Sequence, residues 1–193
     1  MKTTRLEAFS DGVIAIIITI MVLELRVPDG ADWESLRPLI PVFLAYGMSF
    51  TYLAIYWNNH HHMMHLCEKI TGRILWANLH LLFWLSLIPF VTGWMGYNLW
   101  SPNPSVLYGV VLLMAAFAYL LLQMAIIHSQ GQHSRLRKAV GGDIKGKLSA
   151  SLYFVAILVG YWNHWISLVI YVIVALMWFI PDKRIEMHFY ESN

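Results

Sequence analysis

Hydrophobic positions run along this chain in long unbroken blocks, not in the alternation of a half-buried strand or the single stripe of a surface helix. The first block is Val13-Ile14-Ala15-Ile16-Ile17-Ile18-Thr19-Ile20-Met21-Val22-Leu23, entered without a break from the charged stretch Arg5 to Gly12 and ending near Arg26-Val27-Pro28. A helix from Leu6 to Val27 rises about 33 Å, enough to cross the hydrocarbon of a bilayer. Its first two turns carry Glu7, Ser10 and Asp11, groups that lipid penalises and that must face protein or water. The expectation is an interior helix with the others packed around it.

Later blocks follow the same plan. Pro28-Asp29-Gly30 is a turn signal, and Asp32, Trp33, Glu34 and Arg37 read as a polar loop. Pro38 and Pro41 suit the start of a second helix, which passes Trp57 and leaves the membrane as Asn58-Asn59-His60-His61-His62-Met63-Met64-His65. A third helix follows Glu68-Lys69 and Arg73 to Tyr97, kinked at Pro89. A fourth runs from Val106 to about His128, and a basic loop from Gln130 to Lys147 follows it. From Leu148 to Ile180 the chain is apolar except at Tyr161-Trp162-Asn163-His164-Trp165. That is too long for one span, so it reads as a tight hairpin of two helices. The spans predicted are 5–27, 39–64, 70–97, 105–129, 145–162 and 164–181, forming one six-helix unit.

Composition and charge agree with that reading and orient it. The 193 residues are 59% hydrophobic and 12% charged, about half the usual globular charge fraction, which points to an integral membrane protein. Lys2, Arg5, Lys69, Arg73, Arg135, Arg137, Lys138, Lys145, Lys147, Lys183 and Arg184 fall on one side of six spans; Arg26 and Arg37 fall on the other. The positive side is cytoplasmic, so both termini are expected there, with the protein multi-pass in the cell (inner) membrane. Trp33, Trp94, Trp100, Trp162 and Trp165 fall at the outer interface, and Trp57 and Trp76 at the inner one. Leu23-Glu24-Leu25-Arg26 offers no small-x-small cleavage site, so the first block is expected to stay as a span. The single cysteine, Cys67, excludes an intrachain disulfide framework and reads as a small apolar residue.

At 100° per residue, Phe9, Gly12, Thr19, Ile20, Leu23 and Val27 lie within about 60° of Ile16, while Ser10 and Asp11 lie more than about 100° away. Such a stripe suits a pore wall, and it suits lipid equally well. Glu7 and Asp11 are one turn apart and repel each other; Arg5, Arg73, His62 or His65 could compensate them.

The pattern Arg5-x-x-x-Phe9-Ser10-Asp11 at the start of a first span resembles the signature of the endosomal and lysosomal potassium channel family, whose bacterial members carry one six-helix repeat per chain. The resemblance implies an all-α homotetrameric channel conducting potassium in a lipid bilayer, with the first helix lining the axis. It places the constriction at Ile16, a potassium-favouring hydroxyl at Thr19 and a narrowing towards the outside at Leu23; Ile20, on the same stripe of the wheel, joins the lining. Arg5, Phe9, Ser10 and Asp11 become residues that dock the helix. It implies no enzyme activity, no cofactor beyond the permeant ion, no resident metal and no nucleic-acid partner.

Two other features compete. His61 and His65 share a helical face, a metal-binding spacing without a defined third ligand beyond Cys67 or Glu68 nearby. With His60, His62 and His80 they supply the alternative reading, a membrane-embedded haem- or metal-binding redox protein. Val91-Thr92-Gly93-Trp94-Met95-Gly96-Tyr97 superficially resembles a carbonyl-lined potassium filter, but it ends a continuous apolar span with no pore half-helix before it.

Overall fold

The computed structural model describes residues 3–131 and 134–179. Lys2, Gln132, His133 and the segment from Ile180 onward, with the end of the sixth predicted span and Pro181, Lys183 and Arg184, lie outside the described residues. Among those described, the regular structure is helical. It comprises α1 (Thr3–Leu23), α2 (Ile40–His65), α3 (Gly72–Ser86), α4 (Ile88–Tyr97), α5 (Pro102–Gln130), α6 (Arg135–Val140), α7 (Ile144–Gly160) and α8 (His164–Phe179), with a short 3₁₀ helix at Trp33–Leu39. Thr3–Leu23, Trp33–His65, Gly72–Tyr97 and Pro102–Gln130 are each long and apolar enough to cross a membrane, and His164–Phe179 is a shorter apolar helix.

Contacts between distant segments fix which helix ends lie together. At one end the start of α1 meets the end of α2 through Glu7 and His61. There Gln130 Nε2 donates to the Leu66 carbonyl, and Gln123 Nε2 donates to Asp143 just before α7. At the other end the Tyr97 hydroxyl donates to the Glu24 carbonyl, and Trp100 stacks edge-on against Trp165. The long helices therefore alternate in direction, with α3 and α4 acting as one crossing.

Several boundaries differ from the sequence reading, each for a local reason. The first helix starts earlier, at Thr3, and stops at Leu23 instead of Val27. Glu24 and Leu25 already bond back three residues, to Met21 and Val22, as the chain unwinds ahead of Pro28, which disfavours helical geometry at Val27. Val27 thereby leaves the stripe assigned to it. The expected loop at 32–37 is a 3₁₀ helix capped by Asp32, which accepts from Ser35 N at 2.9 Å and Ser35 Oγ at 2.7 Å; those bonds hold the Asp32 carboxyl below its usual range. The fourth helix begins at Pro102, since proline is tolerated in a first turn. The basic loop contains α6, capped by Ser134. Asp143, in a left-handed conformation (φ 46°), caps α7 by accepting from Gly146 N at 3.1 Å. The expected kink appears as the break between α3 and α4 at Leu87: Pro89 has no N–H to offer the carbonyl four residues back.

The Val91–Tyr97 segment lies within α4, so its carbonyls belong to a helix and are not arrayed as an ion filter. Its glycines serve packing. A Cβ on Gly96 would sit 2.9 Å from Val42 Cα, a backbone atom that cannot step aside. Gly96→Ala is expected to cost about 1–3 kcal/mol, the overpacking range, while Gly47→Ala, with open space around its Cβ, should be neutral or slightly stabilising. Thermal unfolding of both variants in detergent checks the contrast.

Polar ties lace the interior. The Thr92 hydroxyl donates to the Ile88 carbonyl at 2.6 Å, so its oxygen is free to accept from Ser49 Oγ at 2.7 Å. Ser49 in turn accepts from the Tyr108 hydroxyl at 2.9 Å. Tyr52 donates to the Tyr171 carbonyl at 2.6 Å and Tyr171 to the Ser105 carbonyl at 3.0 Å. Satisfied buried groups of this kind favour one packing over its competitors.

Candidate functional site

Helix α1 has two unlike faces. Leu6, Ser10, Ile14, Ile17 and Met21 are buried, spaced four, four, three and four apart as one side of an α-helix requires. That side packs on α2, α3 and α4. Ile16 (58% exposed), Ile20 (44%) and Leu23 (78%) lie on the opposite side, together with Phe9 and Thr19. Thr19 Oγ1 donates to the Ile16 carbonyl at 3.0 Å, which turns its lone pairs outward. Arg5 is exposed too. Arg5 and Phe9 thus face away from this chain's own bundle and could dock only on another molecule.

The polar residues at the start of α1 are held from behind. Ser10 is fully buried and donates to the Leu6 carbonyl at 2.9 Å. Its oxygen accepts from Asn78 Nδ2 of α3 at 2.9 Å, which leaves Asn78 Oδ1 as an acceptor, 2.7 Å from His60 Nε2 of α2. His60 must donate there, so Nε2 carries a proton; Nδ1 is buried without a hydrogen-bond partner. Ser10, Asn78 and His60, all with 0% exposure, form one directed chain joining three helices. Asp11 accepts from Trp57 Nε1 at 3.0 Å, and Glu7 Oε1 lies 2.8 Å from His61 Nδ1.

Two groups not weighed in the sequence meet the acids: Trp57 reaches Asp11 and His61 reaches Glu7, while His65, which was weighed, stands in the same cluster as Glu7. Asn78 as the partner of Ser10, and His60 as the partner of Asn78, were not foreseen. A signal existed for Asn78, an amide in the apolar run Leu75-Trp76-Ala77-Asn78-Leu79, since a polar group within a span marks a specific partner. Nothing local pointed from it to Ser10, 68 residues away.

The five imidazoles of the redox alternative do not act together. His60 is engaged by Asn78, and His80 Nε2 accepts from Trp84 Nε1 at 2.9 Å. Among the described residues, the ligand-type side chains that converge are Glu7, His61 and His65; the third member comes from α1, not from Cys67 or Glu68. Cys67 is buried, with its thiol 3.5 Å from the Lys69 carbonyl, and burial pushes that thiol's pKa up.

Comparison with known proteins finds likenesses within one family of membrane channels. The family model described as the endosomal/lysosomal potassium channel TMEM175 matches residues 5–89, which include the motif and the whole polar chain from Ser10 to Asn78. A potassium channel of Chryseobacterium sp. (strain P1-3) is 51% identical over 192 residues, covering 100% of both chains. A potassium channel of Chamaesiphon minutus (strain ATCC 27169 / PCC 6605) is 30% identical over 193 residues, covering 91% of this chain and 92% of its own. The crystal structure of a lysosomal potassium-selective channel TMEM175 homolog from Chamaesiphon minutus matches with a TM-score of 0.81 and 28% identity, over 93% of this chain and 97% of that one.

Proposed function

The chain belongs to the TMEM175 family of endosomal/lysosomal potassium channels, and from that premise we propose that it conducts potassium through a central pore walled by α1 in a homotetramer. The observation that carries the proposal is the exposed apolar stripe of α1 opposite its buried face. One helix supplies one strip of wall, and several copies about an axis close a pore. Ile16 forms the constriction, Leu23 and Ile20 narrow the path towards the outside, and Thr19 offers hydroxyl oxygen one turn from the constriction. A ring of branched apolar side chains excludes water when tight and passes ions when slightly wider. Ser10, Asp11 and Glu7, tied to α2 and α3, set the rotation of α1 and hence which residues face the axis. No enzyme chemistry and no cofactor enter this account.

Each subunit crosses the inner membrane six times, with both termini cytoplasmic. Support comes from the alternating helix directions and from the basic residues near the Glu7–His61 end. In a Cys67→Ser background, cysteines placed at exposed Asn103 and Asn163 should react with an impermeant maleimide applied outside intact cells, and one at exposed Lys138 should not. Labelling at Lys138 from outside would overturn the topology. For conduction, purified protein in liposomes should dissipate a potassium gradient faster than a sodium gradient. Equal leakage of both, or none, would count against it.

A further inference from the structure

We propose that Glu7, His61 and His65 form a binding site for a divalent transition-metal ion of zinc's ligand preference. The three side chains each offer one ligand atom, and those atoms all lie within 4.8 Å of one another. His61 and His65 stand one turn apart on the last turns of α2 with ring centroids 4.8 Å apart, and Glu7 reaches them from α1, its Oε1 2.8 Å from His61 Nδ1. Two imidazoles and one carboxylate suit zinc, leaving a fourth tetrahedral position for water. Around an ion with ligand bonds of about 2.0–2.2 Å, tetrahedral donors stand roughly 3.4 Å apart. Glu7 and His61 would open by a few tenths of an ångström, and His65 would swing in by about an ångström; His65 is exposed and sits at the helix end. The carboxylate compensates part of the ion's charge, and partial exposure of His61 gives the ion a way in. Bound there, the ion cross-links the first turns of α1 to α2 next to Asp11 and Ser10, the residues that orient α1.

The site is tested on the full chain, purified without a polyhistidine tag and stripped with chelator, by titrating zinc chloride in a calorimeter and by following thermal unfolding. The expected result is one zinc ion per chain, a midpoint raised by a few degrees in excess zinc, as binding to the folded state alone requires, and no response to magnesium. His65→Ala and His65→Gln, which leave the Glu7–His61 contact in place, should weaken zinc binding tenfold or more, with the rise in midpoint read against each variant's own metal-free midpoint. Exposed His128 and buried Cys67 serve as controls: His128→Ala and Cys67→Ser should bind like the parent. Cobalt should give the visible bands of a tetrahedral site in the parent and lose them in both His65 variants. Absence of zinc binding, binding unchanged in the His65 variants, or binding lost with Cys67 or His128 would overturn the proposal.

Discussion

Ile16→Asn is expected to raise total ion flux and admit sodium at the same order as potassium, while Ile14→Asn should cut the amount of assembled protein. The two positions are two residues and about 160° apart on the helix. Ile16 is 58% exposed and Ile14 is 1% exposed, so one substitution alters the free stripe and the other alters the packed face. A ring of amides at the constriction holds water where isoleucines exclude it, which lowers the barrier to a hydrated ion and removes the need to shed water that favours potassium. An amide at Ile14 is instead buried in the apolar core without a partner, a penalty of about 2–4 kcal/mol when lost apolar packing is added. Flux in liposomes, normalised to tetramer recovered, separates the outcomes. If Ile14→Asn changes selectivity while Ile16→Asn changes nothing, the faces have been assigned the wrong way round.

Asn78→Ala is expected to be the most damaging change away from the stripe. Asn78 is fully buried and gives its amide nitrogen to Ser10 and its oxygen to His60. Removing it strands the His60 Nε2–H donor and leaves Ser10 without its incoming bond, each costing about 1–3 kcal/mol. The loss should appear as a lower thermal midpoint and lower tetramer yield. Ser10→Ala should cost less, because it strands one buried donor, Asn78 Nδ2, and leaves the Asn78–His60 bond in place. The double variant should cost less than the sum of the singles, since both remove the same hydrogen bond. Strict additivity would mean that the three-helix chain is not a coupled unit.

Much of the fold was legible because apolar runs of bilayer length have few alternative explanations. The spans at 39–64 and 70–97 fall within a residue or two of α2 and the α3–α4 pair, and the final hairpin turns at Tyr161-Trp162-Asn163 as the polar interruption implied. Ends were less legible where capping decided them. Asp143 acts through a left-handed backbone conformation, and Ser134 starts a helix too short to show a hydrophobic period. On α1 the wheel separated Ile16, Thr19, Ile20 and Leu23 from Ser10 correctly as faces, because a 100° step is geometry. Which neighbours meet the buried face was not legible: the Ser10–Asn78 and Asp11–Trp57 contacts join residues 68 and 46 apart in the chain, a choice made by helix packing. The same gap hid Glu7 as a companion of His61 and His65.

The claim that the exposed stripe of α1 lines the ion path is tested most directly by blocking it. In a Cys67→Ser background, a cysteine at Ile16 is compared with one at Ile173, an exposed position on α8, which packs on α2, α5 and α7. Each variant is reconstituted into liposomes, and potassium flux is measured before and after silver ions, which enter narrow pores and bind thiolates. Silver should abolish flux through Ile16→Cys and leave Ile173→Cys conducting. Block of Ile173→Cys with an unaffected, verifiably modified Ile16→Cys would place the pore elsewhere.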